Sequence, residues 1–250
     1  AASDVYKRQF QRCKNGEEAC GDVFKTVRIE NENRSISVLS DGLGSGIKAN
    51  LLATMTSAMA LEFVRNDMEI LQSAEIIMDT LPVCEVRKIS YATFAIADIP
   101  ANGRARIVEM DAPPFLHIRN GAVLEWPHQK SVSANWPDRK LRISEFQVIA
   151  GDRLIFCSDG VTQAGLGNPE YKLGWRRKGV AEFALGCIRR VPEISAATLA
   201  RSIAVHAGTL NPGGRYQDDT SCAVIYLRRP RRLRLLTGPP FKPEGDAEYA

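Results

Sequence analysis

Hydrophobic and polar residues along the chain form strand-like and helix-like segments in a regular order. Residues 34–39 (RSISVL) alternate polar and β-branched positions and run into the glycine-rich stretch 40–46, which predicts a strand ending in a tight turn. Apolar residues then recur every three to five positions, which predicts a helix with one buried face. We assign this inward stripe to Ile47, Leu51, Leu52, Met55, Met59 and Phe63.

A second helix is predicted over residues 67–81, with Asn66 or Asp67 as its N-cap. Strand-like segments follow it without an intervening helix, and Asn120-Gly121 is the dipeptide that two-residue hairpins prefer. This pattern indicates an antiparallel meander followed by a polar loop over 127–139. We place its strands at residues 89–99, 105–111, 115–119 and 122–126.

The remainder of the chain repeats the same kind of pattern. The strand predicted at 154–157 ends in Ser-Asp-Gly, the tripeptide that also occupies positions 40–42. Because helices are grouped between blocks of sequential strands, an α+β fold of mainly antiparallel sheets covered by helices fits better than a doubly wound parallel sheet. The other predicted elements are strands at 141–149 and 220–227 and helices at 179–190 and 195–207.

Composition excludes several classes of protein. The formal net charge is only +4, which argues against nucleic acid as the main partner. No stretch approaches the roughly 18 to 20 apolar residues of a membrane helix, and we expect a cytoplasmic protein without a membrane span. Six scattered cysteines without a CxxC pair predict reduced, buried thiols. We expect residues 1–9 to be disordered or non-native and 229–250 to form a basic, proline-rich tail.

Three carboxylates occur where apolar strands begin or end: Asp41, Asp159 and Asp218. If they converge, each pair at about 4 Å repels by roughly 4 kcal/mol at an effective dielectric near 20, so a cation must lie between them. Carboxylate and carbonyl oxygens suit Mg²⁺ or Mn²⁺, whereas zinc usually recruits histidine or cysteine. Two such ions lower the pKa of a shared water and hold a phosphoryl group.

Two other interpretations compete with a metal site. An isolated Ser-Asp-Gly tripeptide is most often only a turn. The GLGSG stretch at 42–46 has the composition of a phosphate-binding loop, but both common glycine patterns require glycine at position 47, which is Ile47. The ordered combination of motifs therefore favours the metal site over a nucleotide-binding protein.

Taken together, these motifs resemble the metal-dependent protein phosphatases of the 2C (PPM) superfamily, in particular the bacterial branch similar to the stage II sporulation protein E catalytic domain. The resemblance covers residues 21–227 and implies a four-layer αββα sandwich of two antiparallel sheets, with a phosphatase domain spanning 10–228. It is carried by Gly21-Asp22, SDGLGSG at 40–46, ATFAIADI at 92–99, GDRLIFCSDGVTQA at 151–164 and QDDTSCAVI at 217–225.

The resemblance also implies roles for individual residues around two Mn²⁺ or Mg²⁺ ions. Asp41 would bridge both ions, Gly42 would offer its carbonyl, and Asp159 and Asp218 would complete the shell of the first ion. Asp22 matches an acidic position at or just outside the second ion. The catalytic set is thus Asp41, Asp159 and Asp218, while Asp219 is expected to shape the turn.

Two positions depart from the pattern of eukaryotic relatives. Leu43 stands where many of them place a histidine that protonates the leaving group, so solvent or another group must supply that proton. Arg12 and Lys14 are out of register with the arginine that holds the substrate phosphate there.

These observations predict a protein serine/threonine phosphatase that acts through metal-activated water. Its partner would be a phosphorylated bacterial regulator, with an anti-sigma factor antagonist as the candidate, and a homodimer is the candidate assembly. The alternative is a non-catalytic pseudophosphatase that serves as a signalling adaptor.

Overall fold

The computed structural model describes residues 4–81, 92–133 and 136–228, and within these ranges the side chains of all residues except 4 and 129–140. Its strands are β1 (Asp4–Arg12), β2 (Asp22–Ile29), β3 (Arg34–Gly42), β4 (Ala92–Ile99), β5 (Arg104–Met110), β6 (Leu116–Arg119), β7 (Ala122–Leu124), β8 (Gln129–Ser133), β9 (Trp136–Gln147), β10 (Arg153–Cys157) and β11 (Thr220–Arg228). Its α-helices are α1 (Gly46–Arg65), α2 (Ile70–Thr80), α3 (Asp159–Thr162), α4 (Arg176–Arg190) and α5 (Ala196–Leu210).

The strands form two antiparallel sheets stacked face to face, and the predicted α+β sandwich is confirmed. One sheet has the order β1-β11-β10-β6-β7 and the other the order β2-β3-β4-β5-β9-β8. Helices α1 and α2 cover the six-stranded sheet, while α4 and α5 cover the five-stranded one. Three hydrophobic clusters fill the spaces between these four layers. The described residues contain no helix long and apolar enough to cross a bilayer.

Strand β1 corrects the expectation that residues 1–9 lie outside the fold. Residues 4–9 pair with β11 in continuous antiparallel register, from Asp4 opposite Arg228 onwards. Few of its side chains are apolar, and those described are either partly buried or exposed, so the pattern of residues gives little sign of a strand. Its place in the sheet rests on backbone hydrogen bonds to β11, which no local pattern reveals.

The apolar stripe predicted for α1 is confirmed only in part: Leu52, Met59 and Phe63 are partly buried, and the last two pack against the core. Ile47, Leu51 and Met55 are 73%, 58% and 51% exposed. The helix instead packs through small side chains, because its backbone approaches β3 too closely to admit large ones. The residues of α1 that are buried are Gly46, Ala49, Ala53, Thr56, Ser57, Ala60, Leu61 and Val64.

Other boundaries agree with the sequence or shift by a few residues. Helix α2 buries the apolar residues Ile70, Ala74, Ile77 and Met78, but it begins later than predicted, and Glu69 rather than Asn66 or Asp67 caps it. Asn120 and Gly121 both have positive φ, as the predicted hairpin requires. The supposed loop over 127–139 contains β8 and the start of β9, which is a correction. Residues 89–91 and the basic tail lie outside the described residues.

The cysteines are only partly as predicted. Cys157, Cys187 and Cys222 are free and buried, in agreement with their apolar surroundings. Cys13 and Cys20, however, form a disulfide, which contradicts the expectation of reduced thiols throughout. The intervening loop turns through Gly16, whose φ of +95° is a left-handed conformation, and it brings the two Cα atoms to 4.5 Å.

Candidate metal centre

The six-stranded sheet contributes two of the predicted site residues from neighbouring strands. Asp22 is the first residue of β2, and Asp41 lies near the end of β3. The register places these two residues directly opposite each other. Side chains in such a pair have Cβ atoms about 5 Å apart, so the two carboxylates share one end of the sheet. Asp22 is only 1% exposed.

The five-stranded sheet contributes the other two carboxylates, at the ends of β10 and β11. Asp159 begins α3 immediately after β10, and Asp218 lies just before β11. Ser158 joins the two segments: its backbone N–H donates to the Ser221 carbonyl at 2.9 Å, and its hydroxyl donates to the Asp219 carbonyl at 3.2 Å. The turn after β10 is thereby held against the segment that carries Asp218.

Asp219 connects the two sheets at this end of the molecule. Its carboxylate accepts the backbone N–H of Lys14 at 2.9 Å and that of Gly21 at 2.8 Å. The Gly21 carbonyl in turn accepts the N–H of Gly42 at 3.1 Å. Asp219 therefore organises the backbone next to Asp22, in agreement with the expectation that it shapes the turn.

Both Asp-Gly motifs need glycine because backbone segments approach them closely. A Cβ atom at Gly42 would lie 2.0 Å from the Ala49 carbonyl oxygen of α1. A Cβ atom at Gly160 would lie 2.1 Å from the carbonyl oxygen of Asp219. Neither glycine has a positive φ, so the motif is set by close approach rather than by a left-handed turn.

The electrostatics of Asp22 are those of a carboxylate without a cationic partner. Burial raises its pKa, the hydroxyls of Ser221 and Ser158 partly offset this, and the charges of Asp219 and Asp159 add to it, so that the pKa is raised to about 7. Neither carboxylate oxygen of Asp22 has a hydrogen-bond partner among the described residues. Such a group binds a proton or requires a positive ligand.

Two neighbouring carboxylates also have raised pKa values. Burial raises the pKa of Asp41 well above its usual value, with further contributions from the charges of Asp22, Asp159 and Asp218. The pKa of Asp218 is also raised, first by burial and then by Asp159, and the cation of Lys14 partly offsets this. The charge of Asp159 thus acts on Asp22, Asp41 and Asp218, which places the four carboxylates in a single cluster.

This donor set suits hard divalent cations. It consists of carboxylate oxygens and the main chain at Gly42, without a histidine or cysteine among the predicted ligands. A bound cation would give the oxygens of Asp22 a partner and would lower the raised pKa values of Asp22, Asp41 and Asp218. Among the described residues, the group whose ligand atoms all lie within 4.8 Å of one another consists of Cys13, Cys20 and Asp219. The oxygens of the four carboxylates are spaced more widely than this.

The structure thus brings the five predicted residues, Asp22, Asp41, Gly42, Asp159 and Asp218, to one end of the sandwich. Sequence reasoning did not place Lys14 there, although its charge acts on Asp218. No periodic or motif signal marks Lys14, because the disulfide loop and Asp219 bring it to the site.

Comparison with known proteins identifies the family and the fold of the chain. The family model described as stage II sporulation protein E (SpoIIE) matches residues 31–228. No curated protein matches the chain. Among solved structures, the PP2C phosphatase domain with a regulatory-domain fragment of SpoIIE from Bacillus subtilis superimposes with a TM-score of 0.69 at 18% identity. That alignment covers 91% of this chain and 64% of the other, so the chain spans less than two thirds of it.

Two further solved structures share the fold. The RsbU and RsbW domains of a Mycobacterium tuberculosis protein give a TM-score of 0.68 at 15% identity, covering 92% of this chain and 61% of that one. RsbX in complex with magnesium gives 0.54 at 18% identity, covering 89% and 95%. At these identities the likenesses establish the fold, which is that of PP2C-type phosphatase domains.

Proposed function

Because the chain belongs to the stage II sporulation protein E family, we propose that it is a metal-dependent protein phosphatase that hydrolyses phosphoserine or phosphothreonine in a bacterial regulatory protein. The observation that supports this most directly is the cluster of the buried Asp22 with the partly buried Asp41, Asp159 and Asp218, which no ion pair of the described residues neutralises. A structural cluster of this kind would be unfavourable, whereas a catalytic one gains its cations from solution.

The proposed ligands of two Mn²⁺ or Mg²⁺ ions are Asp22, Asp41, Gly42, Asp159 and Asp218. When bound, such ions supply a nucleophilic water at neutral pH and hold the oxygens of a phosphoryl group. The charges of the other three carboxylates act on Asp41, so Asp41 would be the central ligand of the ions. Asp159 and Asp218 lie at the ends of the paired strands β10 and β11, so they would hold the ions together with Asp41.

The surrounding residues suggest how the substrate is handled. Leu43 follows Gly42 and offers no proton, so we assign protonation of the departing serine or threonine oxygen to solvent. Lys14 is the cation that acts on Asp218, and we propose that it attracts the dianionic phosphate ester into the cluster.

The decisive experiment replaces Asp159 by asparagine and measures Mn²⁺-dependent hydrolysis of a phosphoserine peptide. We expect hydrolysis to be abolished, because a neutral amide is a poor ligand and the cluster loses one negative charge. Asp67→Asn is the matched control, since Asp67 is exposed and lies beyond the far end of α1, about 30 Å from its start. Unchanged turnover in Asp159→Asn would overturn the assignment.

Titration calorimetry with Mn²⁺ separates the enzyme from the alternative adaptor. Binding accompanied by turnover supports the phosphatase. Binding without turnover on any phosphoprotein would assign the chain to the pseudophosphatases instead.

We further propose a cytoplasmic partner-switching role, with a phosphorylated anti-sigma factor antagonist as the substrate and a homodimer as the assembly. Support comes from the structural likeness to a protein whose RsbU domain is joined to an RsbW domain, and to a component of a bacterial stressosome. Faster hydrolysis of a folded phosphorylated antagonist than of its isolated phosphopeptide is the expected result, and equal rates would argue against a dedicated protein substrate.

A further inference from the structure

A second cluster of potential ligands lies beside the acidic one, at the loop between Cys13 and Cys20. The two sulfur atoms and a carboxylate oxygen of Asp219 all lie within 4.8 Å of one another. The residue after each cysteine, Lys14 or Gly21, donates its backbone N–H to one oxygen of Asp219. The backbone therefore holds the carboxylate next to both sulfurs, independently of the bond between them.

The chemistry of this cluster differs from that of the acidic site. Two thiolates and one carboxylate are the ligands of a thiophilic ion such as Zn²⁺, whereas oxygen-only sets select Mg²⁺ or Mn²⁺. With Zn–S bonds of about 2.3 Å, a tetrahedral ion needs its two sulfurs roughly 3.8 Å apart, which is within reach of cysteines whose Cα atoms are 4.5 Å apart. Each oxygen of Asp219 keeps a free lone pair after accepting one N–H.

Burial and access also suit an ion. Cys20 and Asp219 are 5% and 3% exposed, so water competes weakly for these ligands. Cys13 is only half-buried, and the loop from Asn15 to Glu18 is exposed, which provides an entry path and room for a water as fourth ligand.

We propose that the reduced protein binds Zn²⁺ through Cys13, Cys20 and Asp219, and that this site and the disulfide are alternative states of the same loop. A dithiol reductant transfers two electrons and two protons to the S–S bond and becomes a disulfide itself. Zn²⁺ then displaces the two thiol protons to solvent. The states exclude each other because the sulfur orbitals that bind zinc are those that form the S–S bond.

Either state would cross-link the same segment next to the acidic cluster. The Cys20 carbonyl accepts the side-chain N–H of Asn50 on α1 at 2.7 Å, and Gly21 leads directly into Asp22. Disulfides do not persist in a reducing compartment. There, zinc replaces the covalent bond as the link that keeps this segment in position.

Co²⁺ is the spectroscopic probe for this site, because Zn²⁺ is silent. The full chain is reduced with a dithiol, freed of it without air, and titrated with Co²⁺. We expect a near-ultraviolet sulfur-to-cobalt charge-transfer band, which oxygen ligands cannot produce, and its loss when one equivalent of Zn²⁺ is added. The oxidised chain should show no band.

Variants assign the band to these residues. Cys13→Ser and Cys20→Ser should each abolish it, and Asp219→Asn should weaken Zn²⁺ binding by at least about tenfold. Cys187→Ser, which alters a free buried cysteine of α4, should retain the band. A reduced wild-type chain without the band, or a band that persists in Cys13→Ser, would overturn the proposal.

Alkylation of the wild-type chain gives an independent readout that needs no variant to fold. Zn²⁺ should protect Cys13 and Cys20 from iodoacetamide in the reduced protein, whereas Mn²⁺ should not, as judged by peptide mass spectrometry. Equal labelling with and without Zn²⁺ would contradict the site. Neither experiment measures phosphatase activity, so failure of the proposed function would leave this result intact, and the converse also holds.

Discussion

Two regions of this protein bury aspartate side chains, and they do so in opposite ways. The side chain of Asp152 is fully buried, and its carboxylate accepts hydrogen bonds from Nε and Nη2 of Arg119, both at 2.7 Å. The Ile149 N–H also donates to it, and His117 Nε2 lies 3.0 Å away. Burial by itself raises the pKa of Asp152, but the hydrogen bonds of Arg119 and His117 outweigh it and lower the pKa to about 2.

The acidic cluster has no such partners. Within the described residues no ion pair reaches Asp22, Asp41, Asp159 or Asp218, and burial raises the pKa of Asp22 to about 7. The comparison shows that burial alone does not decide whether a carboxylate stabilises a fold; the presence of a fixed cation does. Asp152 has its counter-charge within the chain, whereas the proposed function has the cluster take its cations from solution.

The largest effect is expected at the completed site. Asp152→Asn leaves the Arg119 guanidinium without its carboxylate, so we expect the free energy of unfolding at pH 7 to fall by about 3–5 kcal/mol. Urea denaturation measures this value. A loss below about 1 kcal/mol would mean that Arg119 is solvated well enough to do without its partner.

The second-largest effect is expected in the pH dependence of the stability of the metal-free protein, which should differ between the two regions. For Asp22 the folded-state pKa of about 7 exceeds the usual 3.8, so the folded protein holds more protons in this window and raising the pH favours unfolding. We expect wild-type stability to fall, relative to Asp22→Asn, by on the order of 3 kcal/mol between pH 4 and 7. Saturating Mn²⁺ should flatten the difference.

Asp152 gives the opposite sign and serves as the internal reference. Its pKa of about 2 lies below 3.8, so its contribution is present above pH 4 and is lost as the pH falls towards 2. A wild-type chain whose stability relative to Asp22→Asn rises between pH 4 and 7 would contradict the assignment of Asp22 as an uncompensated carboxylate.

A smaller effect of reversed sign is expected at Asp41. In chelator-treated protein at pH 8, Asp41→Asn removes one of several mutually repelling charges, and we expect a gain in stability of about 1–2 kcal/mol. The same substitution should abolish Mn²⁺-dependent phosphatase activity. Thermal unfolding checks the gain, with Asp67→Asn as the control that should leave activity unchanged and lower stability by less than about 1 kcal/mol, the usual contribution of an exposed ion pair such as that of Asp67 with Arg34. A clear loss of stability in metal-free Asp41→Asn would show that the carboxylate is paired within the chain.

The smallest effect concerns the outer contact of the Asp152 site. The Trp126 indole N–H donates to His117 Nδ1 at 2.8 Å, which leaves the proton of a neutral ring on Nε2, facing Asp152. Trp126→Phe keeps an aromatic ring but removes this hydrogen bond, at a cost of about 1 kcal/mol. A double-mutant cycle with Asp152→Asn should show coupling between the two positions, and strict additivity would argue against a shared network.

Sequence reasoning reached much of the metal site and less of its surroundings. Short motifs at strand ends contain Asp41, Gly42, Asp159 and Asp218. The end of a strand can be predicted from the local alternation of polar and apolar residues. The Asp152 network left no comparable signal, because Arg119 and His117 belong to β6 and reach Asp152 only through the pairing of β6 with β10. The inference therefore failed where partners come from elements distant in sequence.

The amino-acid sequence by itself indicated most of the strands and helices that follow residue 33, the α+β class and the acidic residues available to bind cations, since each depends on local periodicity or side-chain chemistry. Tertiary structure alone decided that β1 joins the sheet, that Cys13 meets Cys20, and that α1 turns its small residues inward. The physical reason is the same in each case: a residue's own pattern states which surroundings it prefers, but only the packed chain determines how closely two backbones approach and which charge lies opposite another.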